Sequence, residues 1–199
     1  MQPIKFEEEK QERYVAAVSE LMDIRIAQTF YKREYGKYTS SIDELRNFIL
    51  KDSISIVKKE GVIPDSIYLK AGNDLAKAEK ICLERKIISR DTSKKSVKDS
   101  LFKNFDSKKF GYVPFSENIL FEMDTATIES GGIKINLFQC CVTNMVLLDG
   151  LNRQLILNLD DDAIEANKYP GIKVGSTEEN NNNDGNWDKE IEVIILKNK

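Results

Sequence analysis

The chain has 199 residues, a formal charge of -3, 41% hydrophobic and 32% charged residues, the balance of one globular domain with a core of useful size. It contains no histidine, which removes the commonest general base, the Ser-His and Cys-His pairs and most zinc or iron sites. No apolar run of about 20 residues is present, and no basic stripe or Arg-rich face points to nucleic acid.

Residues 7–35 lack Pro and Gly and are mostly good helix formers. Tyr14, Ala17, Val18, Leu21, Ile24, Gln28, Tyr31 and Tyr35 recur at helical spacing, an amphipathic stripe. Glu7, Glu8 and Glu9 are placed in the first turn, where the helix dipole favours them. Gly36 is the terminator. A helix of about eight turns exceeds what a small domain covers, so its N-terminal half is expected to project. An exposed stripe would make Tyr14, Val18, Leu21 and Tyr31 an interaction surface. "MQPIKFEEEKQERY" is too charged for a signal peptide. It reads as the flank of a membrane anchor, expected before Gln2.

Ser41 with Glu44 fits a capping box, and Ile42, Leu45, Phe48 and Ile49 form the apolar face of a second helix. In "SISIVKKEGVIPDS", Ile54 and Ile56 alternate with serines, a short strand ending near Gly61 or Pro64. Residues 74–86 read as a third helix capped by Asn73 or Asp74. Residues 87–102 read as a strand, a loop and a further strand around Val97.

The second half is rich in aromatic and β-branched residues. "KFGYVPF", "NILFEMDTATI", "GIKINLFQCCV" and "RQLILNL" predict an antiparallel meander of four or more strands, with a hairpin at "ESGG", residues 129–132. Asp160, Asp161 and Asp162 fit the cap and first turn of a short helix stopped by Pro170. "STEENNNNDGN" is polar and low in complexity, a mobile loop by composition. "EIEVIIL" reads as a last strand. The expected class is α+β: a long N-terminal helix (residues 1–36) and short helices packed on a mostly antiparallel sheet, which starts near residue 110 of a body spanning 37–199.

Little of this carries chemistry. The odd count of three cysteines, Cys82, Cys140 and Cys141, argues against a disulfide framework and for core-filling thiols. "SGGIK" lacks the phosphate-loop pattern, and the spacing of the carboxylates selects no acid–base pair. No enzyme is expected. Calcium is the one ion the residues allow: "EENNNNDGNWD" offers Glu178, Glu179, Asp184 and Asp188 as hard oxygen ligands, although the spacing is not that of an EF-hand.

Residues 21–45 resemble the segment of type II secretion pseudopilins where the long helix ends. Leu21, Ile24, Ala27, Tyr31, Gly36, Tyr38 and Leu45 match, and Thr39 stands where that family usually has Pro. "NDGNWD", Asn183 to Asp188, is similar to the Gly-containing loop and Trp-Asp pair that end major pseudopilins. The chain as a whole resembles an uncharacterised family of membrane-anchored envelope proteins. That likeness rests on "RDT" at 90–92, "VKDSLF" at 97–102, "LDGLNRQLILNL" at 148–159 and "YPGIKVGS" before "GNW". These resemblances imply pilin-like topology, an anchor, a periplasmic body, protein partners or self-assembly, and calcium in the C-terminal loop. The apolar half-helix of pilins, with its peptidase site and Glu, is not in this sequence. The alternative reading is a soluble α+β module that binds a ligand or partner.

Overall fold

Helix α1 (Gln2–Tyr35) has 34 residues, about 51 Å at 1.5 Å per residue. The computed structural model describes residues 2–102 and 105–198. Within it α1 lies along an antiparallel sheet in the order β3-β4-β5, formed by β3 (Glu122–Ser130), β4 (Ile133–Thr143) and β5 (Gly171–Gly175). Register runs from Glu122 opposite Cys141 to Ser130 opposite Ile133. The hairpin turns through Gly131 and Gly132, both at positive φ (60° and 78°), as a two-residue turn between right-twisted strands requires.

Alternation along β4 turns Phe138, Cys140 and Val142 toward the body core, where Ala17, Val18, Leu21, Ile24 and Ala27 of α1 join them. Each fully buried leucine or phenylalanine there contributes about 1.5–3 kcal/mol. Helix α2 (Ile42–Lys51) adds Ile42, Leu45, Phe48 and Ile49 to the same core, and its cap is Ser41, whose side chain accepts from Glu44 N.

A lobe extends from this body. β1 (Ser53–Glu60) and β2 (Ser89–Ser96) form an antiparallel ribbon, Ser53 opposite Ser96 and Glu60 opposite Ser89. Beyond its far end, α3 (Asp65–Lys70) and α4 (Leu75–Glu84) enclose a separate small core of Ile67, Ala78, Cys82 and Ile88. Asp74 caps α4, accepting from Ala76 N and Lys77 N. Ile54 is buried, but Ile56 lies among residues whose side chains fall outside those described. The ribbon returns through α5 (Val97–Leu101) to α2.

The α+β class stands, and no helix of the described residues is long and apolar enough to cross a membrane. Several elements differ from the sequence reading. Residues 153–165 form a helix, α7 (Arg153–Glu165), following the short α6 (Asn144–Leu147). "RQLILNL" is a short apolar run that fits helix or strand; the Asn152 side chain, accepting from Gln154 N and Leu155 N, settles it as a helix start. Asp160, Asp161 and Asp162 therefore sit within α7, past its first turn. "EIEVIIL" also folds as a helix, α8 (Lys189–Asn198), where Asp188 Oδ1 accepts from Glu190 N at 3.1 Å. Val97 starts a helix behind a Ser96 cap. Residues 110–121 make turns and one bridge, Tyr112 with Leu120, so the sheet starts at Glu122 and has three strands. Because α1 starts at Gln2, its first turn holds no acid.

Candidate functional site

The best-defined polar structure is the end of α1. Gly36 takes φ +74°, and its N–H donates to Lys32 O at 2.8 Å, the left-handed exit that glycine makes without cost. Gln28 is fully buried and spans the resulting turn. Its Nε2 donates to Thr39 O, and its Oε1 accepts from Thr39 N at 3.2 Å. The side-chain amide thus pairs with the peptide groups of Thr39 as a second strand would. The pairing uses the Thr39 N–H, which a proline at this position would lack. Thr39 Oγ1 donates to Glu44 Oε2 at 2.6 Å and accepts from Ser41 N at 3.1 Å, so the turn and the cap of α2 form one network.

The sheet and the Asn-rich loop close on this turn. Asn136 Nδ2 donates to Gly36 O at 2.9 Å, and Lys32 Nζ lies 4.5 Å from the Tyr38 ring centroid. Tyr38 packs on Phe138, and its hydroxyl accepts from Asn183 Nδ2 at 3.0 Å. The loop expected to be mobile is therefore anchored. Gly175 N donates to Asp184 O, Val174 bridges Gly185, and Asn186 bonds Lys173 N and Gly171 O through its side chain. Asn182 and Asn183 adopt positive φ, which asparagine tolerates better than other side chains. Composition alone hid this: asparagine runs look disordered, yet they also supply left-handed turns and amide bonds.

The four residues proposed as an interaction stripe are separated by the fold. Val18 and Leu21 have no exposed surface, so they are core and not a docking face. Tyr31 is half-buried against Phe48 and Tyr35. Tyr14 donates its hydroxyl to Asn144 Oδ1. In the first turns of α1 Phe6 is buried, beside a shallow groove lined by Leu155 and Leu159 of α7, while Ile4 is exposed.

The proposed calcium ligands do not converge. Asp184 faces Lys189 at 3.7 Å, Asp188 serves the start of α8, and the backbone N–H groups of Glu178 and Glu179 donate to Ser176 Oγ. Among the described residues, no three His, Cys, Asp or Glu side chains form a group that could hold a metal ion.

One part-buried polar chain has no signature in the sequence. Tyr14 bonds Asn144, and Asn144 Nδ2 donates to Asp160 Oδ1 at 2.7 Å. Burial, then the nearby Asp160 and Glu7 charges, push Tyr14 up to about 12. Burial also raises Tyr169, which bonds Cys141, and raises the Cys140 thiol. At neutral pH these phenols and this thiol stay protonated, so they act as donors and packing groups, not as bases or nucleophiles. All three cysteines are free and buried, as expected of core-filling thiols.

Comparison with protein-family models, with curated proteins and with solved structures finds no match for this chain.

Proposed function

We propose that this chain is a non-enzymatic cell-envelope protein, the soluble part of an anchored assembly or interaction subunit with pilin-like topology. One observation carries the reading. The two segments that resemble pseudopilins, residues 21–45 and 183–188, lie far apart in sequence, yet they meet at the Tyr38–Asn183 hydrogen bond over β4. A long helix laid on an antiparallel sheet, as α1 lies here, is the plan of that family. In this reading the anchor precedes Gln2, the body faces the periplasm, and the partners are proteins. The α1 stripe is occupied by the chain's own sheet, so partner contacts fall on other surfaces.

The test is mass spectrometry of the native N-terminus, isolated from fractionated source cells. An apolar segment of about 20 residues before Gln2, in the membrane fraction, supports the reading. A native protein that starts at Met1 and stays in the soluble fraction overturns it. The second reading, a soluble binding module, would then take its place. The surface such a module would offer is an open depression on the lobe lined by Lys70, Lys77, Lys80, Ile81 and Glu84, where Lys77 already pairs with Asp74 at 3.6 Å.

A further inference from the structure

Helix α8 is apolar on more sides than its seat explains. Ile195 is buried and Ile191 half-buried, and with the Glu192–Arg25 ion pair at 3.1 Å they fix one face to the body. The opposite side leaves Val193 50%, Ile194 52% and Leu196 60% exposed. At 100° per residue, Glu190, Val193 and Lys197 fall within an arc of about 60°, flanked by Ile194 and Leu196. Among the described residues, neither the Glu190 carboxylate nor the Lys197 ammonium makes an ion pair within the chain.

We infer that this face pairs with the same face of a second copy of the chain, the two α8 helices running antiparallel about a two-fold axis between residues 193 and 194. The charge pattern selects both occupant and direction. Antiparallel pairing sets Glu190 of each copy against Lys197 of the other, at two places about 10 Å apart. Parallel pairing would set Glu190 against Glu190 and Lys197 against Lys197. Val193 closes the centre with Ile194 and Leu196 at its two edges, and such self-complementarity is what an isologous contact needs. A ten-residue helix face buries well under about 1,000 Å² in total, so the dimer is weak and concentration-dependent. This inference rests on the assembly reading and names a second copy as a partner.

The experiment is sedimentation equilibrium of the full chain from about 10 µM to about 1 mM, with far-UV circular dichroism to check folding. The wild-type chain is expected to dimerise across that range and Val193→Glu to stay monomeric. Glu190→Lys alone and Lys197→Glu alone should each weaken association at least about tenfold, because like charges then face each other. An equimolar mixture of those two variants should regain wild-type association, because both contacts of the mixed pair become attractive. That rescue keeps the test decisive even if Val193→Glu fails to fold. A wild-type chain that is monomeric throughout, or single charge variants that associate as well as wild type, overturns the α8 pairing. A dimer that survives Val193→Glu uses another face; it sinks this pairing and leaves the assembly reading intact. Failure of the assembly reading itself is seen separately, in the native N-terminus.

Discussion

The molecule holds two cores of different quality. The body core joins α1, α2 and the three-stranded sheet around fully buried Leu21, Ile24, Leu45 and Phe138. Among the described residues, the lobe core has Ile67, Ala78, Cys82 and Ile88 at its centre, and its ribbon has two strands. A two-stranded ribbon is marginal by itself, and a small core offsets little chain entropy. The body should therefore set global stability, and the lobe should open locally at lower free energy. The contrast teaches where a change in sequence will be felt by the whole molecule and where it will not.

The largest effect should come from the body core. Leu21→Ala leaves a cavity at a fully buried site and should cost about 3 kcal/mol or more, read as a lower denaturation midpoint with unchanged m-value. Trp187, the only tryptophan, reports on the body and makes fluorescence a suitable probe. Next is the clamp at the end of α1. Gln28→Ala strands the N–H and C=O of Thr39, which is 5% exposed, and should cost about 2 kcal/mol. Thr39→Pro removes the N–H that Gln28 Oε1 accepts from and also the hydroxyl that joins Glu44 and Ser41 N, so a loss of about 2 kcal/mol is expected. If Thr39→Pro proves neutral, the clamp is not what fixes this turn, and the body's advantage rests on apolar packing alone.

In the lobe, Ile88→Ala should also remove about 2 kcal/mol, but only from local opening. Hydrogen exchange should accelerate across 60–89 while the Trp187 unfolding curve stays in place. A full shift of the Trp187 curve by Ile88→Ala would show that lobe and body unfold as one unit and would end the two-core contrast.

Much of the fold was legible in the sequence, for local reasons. The α1 stripe, the Ser41–Glu44 cap and the Gly131–Gly132 hairpin are short-range signals, and each appears where spacing placed it. What failed was the type of short apolar segments. "RQLILNL" and "EIEVIIL" suit a strand by composition, and the Asn152 and Asp188 caps that make them helices carry little weight in a periodicity count. Burial was misjudged because a stripe shows amphipathicity but not what covers it; Val18 and Leu21 are covered by the chain's own sheet. The Gln28–Thr39 clamp and the Tyr14–Asn144–Asp160 chain link positions with no pattern between them, so only three-dimensional contact reveals them.

The smallest effect expected is also the most specific to the body. Burial alone would raise the Glu192 carboxyl, but the Arg25 hydrogen bond and charge, with the Trp187 Nε1 donor at 3.0 Å, outweigh it and hold Glu192 below its ordinary value. A depressed folded-state value means that the unfolded chain binds the proton more readily. The contribution is therefore full above the ordinary carboxylate range and is lost as pH falls through the lowered folded value. The pair is partly exposed, so screening limits it to less than about 1 kcal/mol. Urea midpoints followed by Trp187 fluorescence should fall more steeply with acid in wild type than in Glu192→Gln, and salt should narrow the gap. Equal acid slopes in the two proteins would mean that the Arg25–Glu192–Trp187 contact does not hold α8 on the body. Helix α8 would then be held on the body by the packing of Ile191 and Ile195.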